Sequence, residues 1–197
     1  MARLETGARL VSALFHPLLL PAIAFWLLLF FDQRLTLGAQ LLFLGVAICF
    51  SVVLIPLYIF WLKQRGVVES MDIVVRRQRL NPLLLGALSY FVGFLALSWL
   101  DAPYLVQGLM FCYATNTLLV VFITRWWKVS VHTTAISGPL VALLFQFGPL
   151  VIPWFALIPF VGASRVILRR HTVAQVLVGA AIGLLLTMLQ LKILFRA

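Results

Sequence analysis

Seven stretches of this sequence, at residues 10–31, 38–62, 83–100, 103–124, 133–149, 151–168 and 173–194, are apolar over about the length that a bilayer core demands of a helix. In hydrocarbon every backbone N–H and C=O must be satisfied within its own segment, which makes the helix the solution for runs of this length. The fifth and sixth stretches are short and interrupted by Gly138–Pro139, Gly148–Pro149 and Pro153. They read either as one tight hairpin or as partly re-entrant segments. The sequence therefore predicts an all-α, polytopic membrane helix bundle of six or seven transmembrane helices, a single domain over 1–197 with no internal repeat. Composition agrees, with 64% hydrophobic and 10% charged residues, against roughly 45–50% and 25% in globular domains.

The N-terminus is basic and then apolar for longer than a signal h-region, without a small-residue cleavage site, so it reads as a retained first span. Cys49 and Cys112 lie inside apolar runs and lack zinc-ligand or disulfide spacing, which makes them packing residues. The net charge of +10 does not point to nucleic acid, because few soluble loops remain to form a binding face. Basic groups beside apolar helices instead meet anionic headgroups or a phosphorylated ligand.

The charges are unevenly placed. The loop 63–82 carries Lys63, Arg65, Arg76, Arg77 and Arg79 with Glu69 and Asp72. The loop 125–134 carries Arg125, Lys128 and His132 beside Ser130, Thr133 and Thr134, and the stretch 164–179 carries Arg165, Arg169, Arg170 and His171. Counting spans, these loops follow helices two, four and six and share one side of the membrane with the N-terminus. The other side holds only Asp32, Arg34, Asp101, Lys192 and Arg196. The positive-inside rule explains the arginines and predicts a multi-pass cell-membrane protein with these loops in the cytoplasm. It does not explain the two histidines.

Arginines and a lysine around one point suit a phosphate, since guanidinium forks pair bidentately with its oxygens. Histidines add nucleophilic attack or proton transfer near neutrality. Glu69 and Asp72 are too few for a hard divalent cation, so the chemistry reads as metal-independent and without a cofactor.

"SRVILRRH", in which Arg165 precedes His171 by six, is similar to the third signature of the type 2 phosphatidic acid phosphatase family, SR-x5-H-x3-D. "SVHTT" from Ser130 resembles the second, PSGH, and "DIVVRRQRLNP" the first, K-x6-RP. The three occur in family order within residues 72–175. The resemblance implies a membrane phosphatase that hydrolyses a lipid phosphate or diphosphate, with His171 forming a phosphohistidine. It implies His132 as acid and then base, Arg165 and Arg79 as phosphate ligands, and Ser130 as a hydrogen-bond donor. Arg76 would replace the family's lysine, although strict spacing from Arg79 falls on Asp72. Lys128 is a further headgroup contact.

Gln175 stands where the family has an aspartate. On a helix starting near Thr172 it shares a face with His171. Its amide oxygen can hold the imidazole but supplies no negative charge, implying a less basic histidine. "TVAQ", Thr172 to Gln175, also matches a capping box, in which the glutamine satisfies the first free N–H of the helix. Two rival readings follow: a catalytically impaired relative that binds or transports an anionic lipid, or a structural membrane protein. Elsewhere, His16 reads as a packing histidine, Trp126 and Trp127 as interfacial anchors, Gly179-x3-Gly183 as a close-packing face within the bundle, and Asn116 as an interhelical bond.

Overall fold

The structure is a computed structural model that describes residues 2–68 and 75–195. All regular structure among these residues is helical. Five helical stretches, Leu37–Gln64, Arg77–Trp99, Tyr104–Thr124, Val131–Ile167 and Val173–Leu194, are long and apolar enough to cross a membrane, and Leu20–Phe30 is a shorter apolar helix. Their outward faces carry large apolar side chains such as Leu41, Leu57, Leu88, Phe122, Leu177 and Leu189. Such a surface is a liability in water and the natural one against lipid.

The predicted first span, 10–31, is two helices rather than one. Helix α1 (Ala2–Leu14) exposes Arg3, Glu5 and Arg9 and buries Ala8 and Ser12, one helical turn apart. It ends at His16–Pro17, where proline supplies no N–H, and the His16 carbonyl accepts the N–H groups of Leu19 and Leu20. Helix α2 (Leu20–Phe30) then buries Ala24, Phe25, Leu28 and Leu29 in the main core. At its far end Asp32 takes a bidentate pair from Arg34 at 2.8 and 2.7 Å.

Helix α3 (Leu37–Gln64) contains a π-helical turn, Cys49–Val53, just ahead of Pro56. A widened turn there relieves the clash of the proline ring with the carbonyl one turn back. Helix α4 (Leu80–Trp99), entered through the 3₁₀ turn Arg77–Arg79, packs along α5 (Tyr104–Thr124) as an antiparallel pair. Pro82 falls in the first turn of α4, where the N–H has no intrahelical partner anyway.

The two short stretches predicted at 133–149 and 151–168 form one helical run that folds back on itself as a hairpin. Helix α6 (Val131–Phe147) stops at Gly148, whose φ of +62° favours a residue without Cβ. The chain returns through the 3₁₀ stretch Gly148–Ala156 into α7 (Leu157–Ile167). A straight helix of that length would hold its ends about 55 Å apart. Here His132 at one end and Arg165 at the other both bond Ser12. Helix α8 (Val173–Leu194) completes the chain, with a π-helical turn at Ile182–Leu186.

Helix α6 is the centre of the bundle and packs against α2, α5, α7 and α8. Its contact with α8 depends on Gly179 and Gly183. A Cβ on Gly179 would lie 2.5 Å from both the Ser130 carbonyl and Thr133 Oγ1, and one on Gly183 would lie 2.6 Å from Ser137 Cβ. The small-residue pair thus packs inside the bundle. Asn116 Nδ2 donates to Thr187 Oγ1 at 2.9 Å and Thr115 bonds Gln190 at 3.1 Å, tying α5 to α8.

Candidate active site

The close approach of α6 and α8 sets the site. The Ser130 N–H donates to the Gln175 carbonyl at 3.2 Å, and Thr133 Oγ1 donates to the Val176 carbonyl at 3.0 Å. The first turns of the two helices are therefore locked together, with His132 on one and His171 immediately before the other. His171 is also fixed to the preceding helix. Arg169 adopts a left-handed φ of +53°, and the N–H groups of Arg170 and His171 donate to the Arg165 carbonyl at 3.0 and 3.3 Å.

His171 is buried, and its Nδ1 lies 3.2 Å from Gln175 Oε1. The same oxygen accepts the Thr172 N–H at 3.2 Å, while Thr172 Oγ1 accepts the Gln175 N–H at 3.4 Å. Capping and histidine orientation are thus one arrangement. An amide oxygen only accepts, so Nδ1 carries the proton and Nε2 the lone pair. Nε2 is buried with no hydrogen-bond partner among the described residues. Burial, followed by the charges of Lys128, Arg79 and Arg165, pushes the imidazole down to about 3, against a weaker opposing pull from Gln175. The ring is a neutral base at ordinary pH, surrounded by cations that favour an anion beside it.

Those cations come from three loops. Arg79 and Arg165 are both buried, and Arg165 donates through Nη1 to Ser12 Oγ. Lys128 Nζ donates to the Arg170 carbonyl at 2.7 Å, bridging the second and third loops. Two residues expected at the phosphate make hydrogen bonds within the protein. Arg76 Nη1 donates to the Arg125 carbonyl at 2.6 Å and to that of Thr124 at 3.4 Å, fastening its loop to the end of α5. Ser130 is buried at the N-cap of α6, where its Oγ accepts the Thr133 N–H at 3.5 Å. Glu69 and Asp72 lie outside the described residues. Among the described residues no group of three or more His, Cys, Asp or Glu is placed to hold a metal ion.

Two cavities meet at the histidines. An outer one of about 550 Å³ is walled by Arg165, Arg169, Arg170, Arg9 and Glu5. An inner one of about 130 Å³ is lined by Arg79 and His171, by Ile55 and Ile59 of α3, and by Gly86 and Tyr90 of α4. His132 and His16 line both. Ser12 and His16 are the site residues that motif spacing did not reach. His16 had one signal, an ionisable group inside an apolar run. Ser12 had none.

No family model, curated protein or solved structure matches this chain.

Proposed function

We propose that this protein is a metal-independent membrane phosphohydrolase that cleaves a lipid phosphate or diphosphate through a phosphohistidine on His171, as the resemblance to type 2 phosphatidic acid phosphatases implies. One observation carries the reading: His171, whose buried Nε2 has no partner among the described residues and whose ring is held from behind by Gln175, lines a cavity together with Arg79. Nucleophilic catalysis needs such an oriented, deprotonated nitrogen, and the cations stabilise charge on the phosphoryl oxygens.

In the first step Nε2 bonds to phosphorus and the P–O ester bond breaks. The electron pair leaves on the alkoxide oxygen, which takes a proton from the imidazolium of His132. In the second step water attacks phosphorus, the P–N bond breaks, and His132 recovers a proton from the water. Inorganic phosphate leaves and His171 returns neutral. The lipid tail occupies the apolar inner cavity, with the headgroup at the junction and the basic mouth beyond it. By the positive-inside rule, Arg3, Arg9, Lys63, Arg65 and Arg125 favour the cytoplasmic face of the cell membrane for this end.

A second reading is favoured by Gln175 itself. A neutral amide does not stabilise the cationic ring formed on attack, so the site would hold an anionic lipid without turning it over. Phosphate release from a panel of lipid mono- and diphosphates separates the two. Release that disappears in His171→Ala supports the hydrolase. Tight lipid binding with no release by the natural protein supports the binding protein, and release that persists in His171→Ala removes the nucleophile assignment.

A further inference from the structure

His132 has to present its proton at one place, the leaving oxygen, where the outer and inner cavities join. Two side chains from the N-terminal segment, far outside the three motif loops, reach its ring. The His16 ring stands edge-on to it, with centroids 5.5 Å apart and planes at 79°. Ser12 Oγ lies 3.3 Å from His132 Nε2 while also accepting from Arg165. His16 is itself fixed: its Nδ1 accepts the Leu18 N–H at 3.3 Å across the break between α1 and α2, which leaves its proton on Nε2. Edge-to-face packing of this kind holds ring planes at a set angle.

We propose that His16 is a positioning residue for His132, with Ser12 fixing the same imidazole from the aqueous side and coupling it to the phosphate clamp Arg165. The inference rests on the phosphohistidine reading of the site. His16 lines both cavities, as His132 does, and its edge-on contact restrains the His132 ring on the side that it touches. Small displacements of a reacting group cost large factors in rate, which gives the restraint its value.

The test compares an alkyl phosphate with a matched aryl phosphate of equal chain length, in detergent micelles, using the full chain. An aryl leaving group departs without a proton, so a residue acting through the acid matters mainly for the alkyl ester. His16→Asn, which keeps an acceptor for the Leu18 N–H, is expected to lower alkyl turnover about tenfold more than aryl turnover. Ser12→Ala removes a contact to Arg165 as well, so it is expected to lower turnover of both esters but that of the alkyl ester more, even if His16→Asn fails to fold. Adding His16→Asn to His132→Ala should cost less than roughly twofold more, since both act through one group. Equal losses on both esters, no loss on either, or losses that multiply in the double variant would overturn the assignment. His171→Ala is the separate control: persistent turnover there overturns the phosphohistidine reading itself.

Discussion

A single oxygen, Gln175 Oε1, lies 3.2 Å from His171 Nδ1 and 3.2 Å from the Thr172 amide nitrogen. One side chain therefore caps α8 and selects the imidazole tautomer that leaves the lone pair on Nε2.

Gln175→Asp keeps both acceptor contacts and adds a negative charge. The carboxylate favours the imidazolium, so the His171 pKa rises from about 3. It also stabilises the cationic ring that forms as phosphorus binds. Turnover is expected to increase by about tenfold to a hundredfold, with the acid limb of kcat/KM moving to higher pH. A pH series of phosphate release on both proteins measures this. Turnover that falls would show that the neutral amide suits the site better.

Stability should depend on pH through the same ring. The unfolded chain binds the proton near 6.5 and the folded protein only near 3, so acid favours unfolding across that interval. Stability is full above about pH 7 and lost as the pH falls, by about 2 kcal/mol at pH 5. Thermal unfolding in detergent should show this slope, and His171→Asn should flatten it.

Gly179→Ala should damage the site from a distance. The added methyl meets the Ser130 carbonyl and Thr133 Oγ1, both at the start of α6, and backbone there has no room to retreat. The expected cost is about 1–3 kcal/mol, with a lowered Tm and a fall in kcat as His132 and His171 separate. An unchanged Tm would mean that α6 and α8 slide freely.

Arg76 and Arg79 sit one 3₁₀ turn apart and should behave differently. Arg79 lines the inner cavity beside His171, so on the proposed function Arg79→Ala should reduce kcat/KM by about a hundredfold or more. Arg76 fastens a loop to the Arg125 carbonyl, and Arg76→Ala should change kcat/KM by less than about threefold while costing about 1 kcal/mol of stability. Steady-state kinetics with thermal unfolding separates the two roles.

Much of the architecture was legible because bilayer length is a hard constraint on a sequence. The run predicted at 103–124 is the helix Tyr104–Thr124, and that at 173–194 is Val173–Leu194. The break at His16–Pro17 was hidden by apolar residues on both sides, since hydropathy registers polarity and not a missing N–H. The hairpin at Gly148 was one of two open readings. What decides it is a backbone angle, which glycine permits without requiring. Within the site, His171 and Gln175 were readable because a capping glutamine reaches back past the helix start, toward the residue ahead of the cap. Ser12 was not, because its contact with His132 spans 120 residues and follows from packing of α1 on α7. Ser130 illustrates the converse: motif spacing found the residue, but a helix start at Val131 turns its oxygen to the Thr133 N–H.

The junction of the two cavities has a kinetic consequence. On the proposed hydrolysis, a lipid phosphate seated there has one part in water and the other between helices, and its two products belong to different phases. Phosphate diffuses away in three dimensions, while the alcohol stays in the plane of the lipid. Reaction velocity should therefore track the mole fraction of substrate among surrounding lipids rather than its bulk concentration. Diluting vesicles with buffer would leave the rate per protein unchanged, whereas diluting the substrate with inert lipid would lower it.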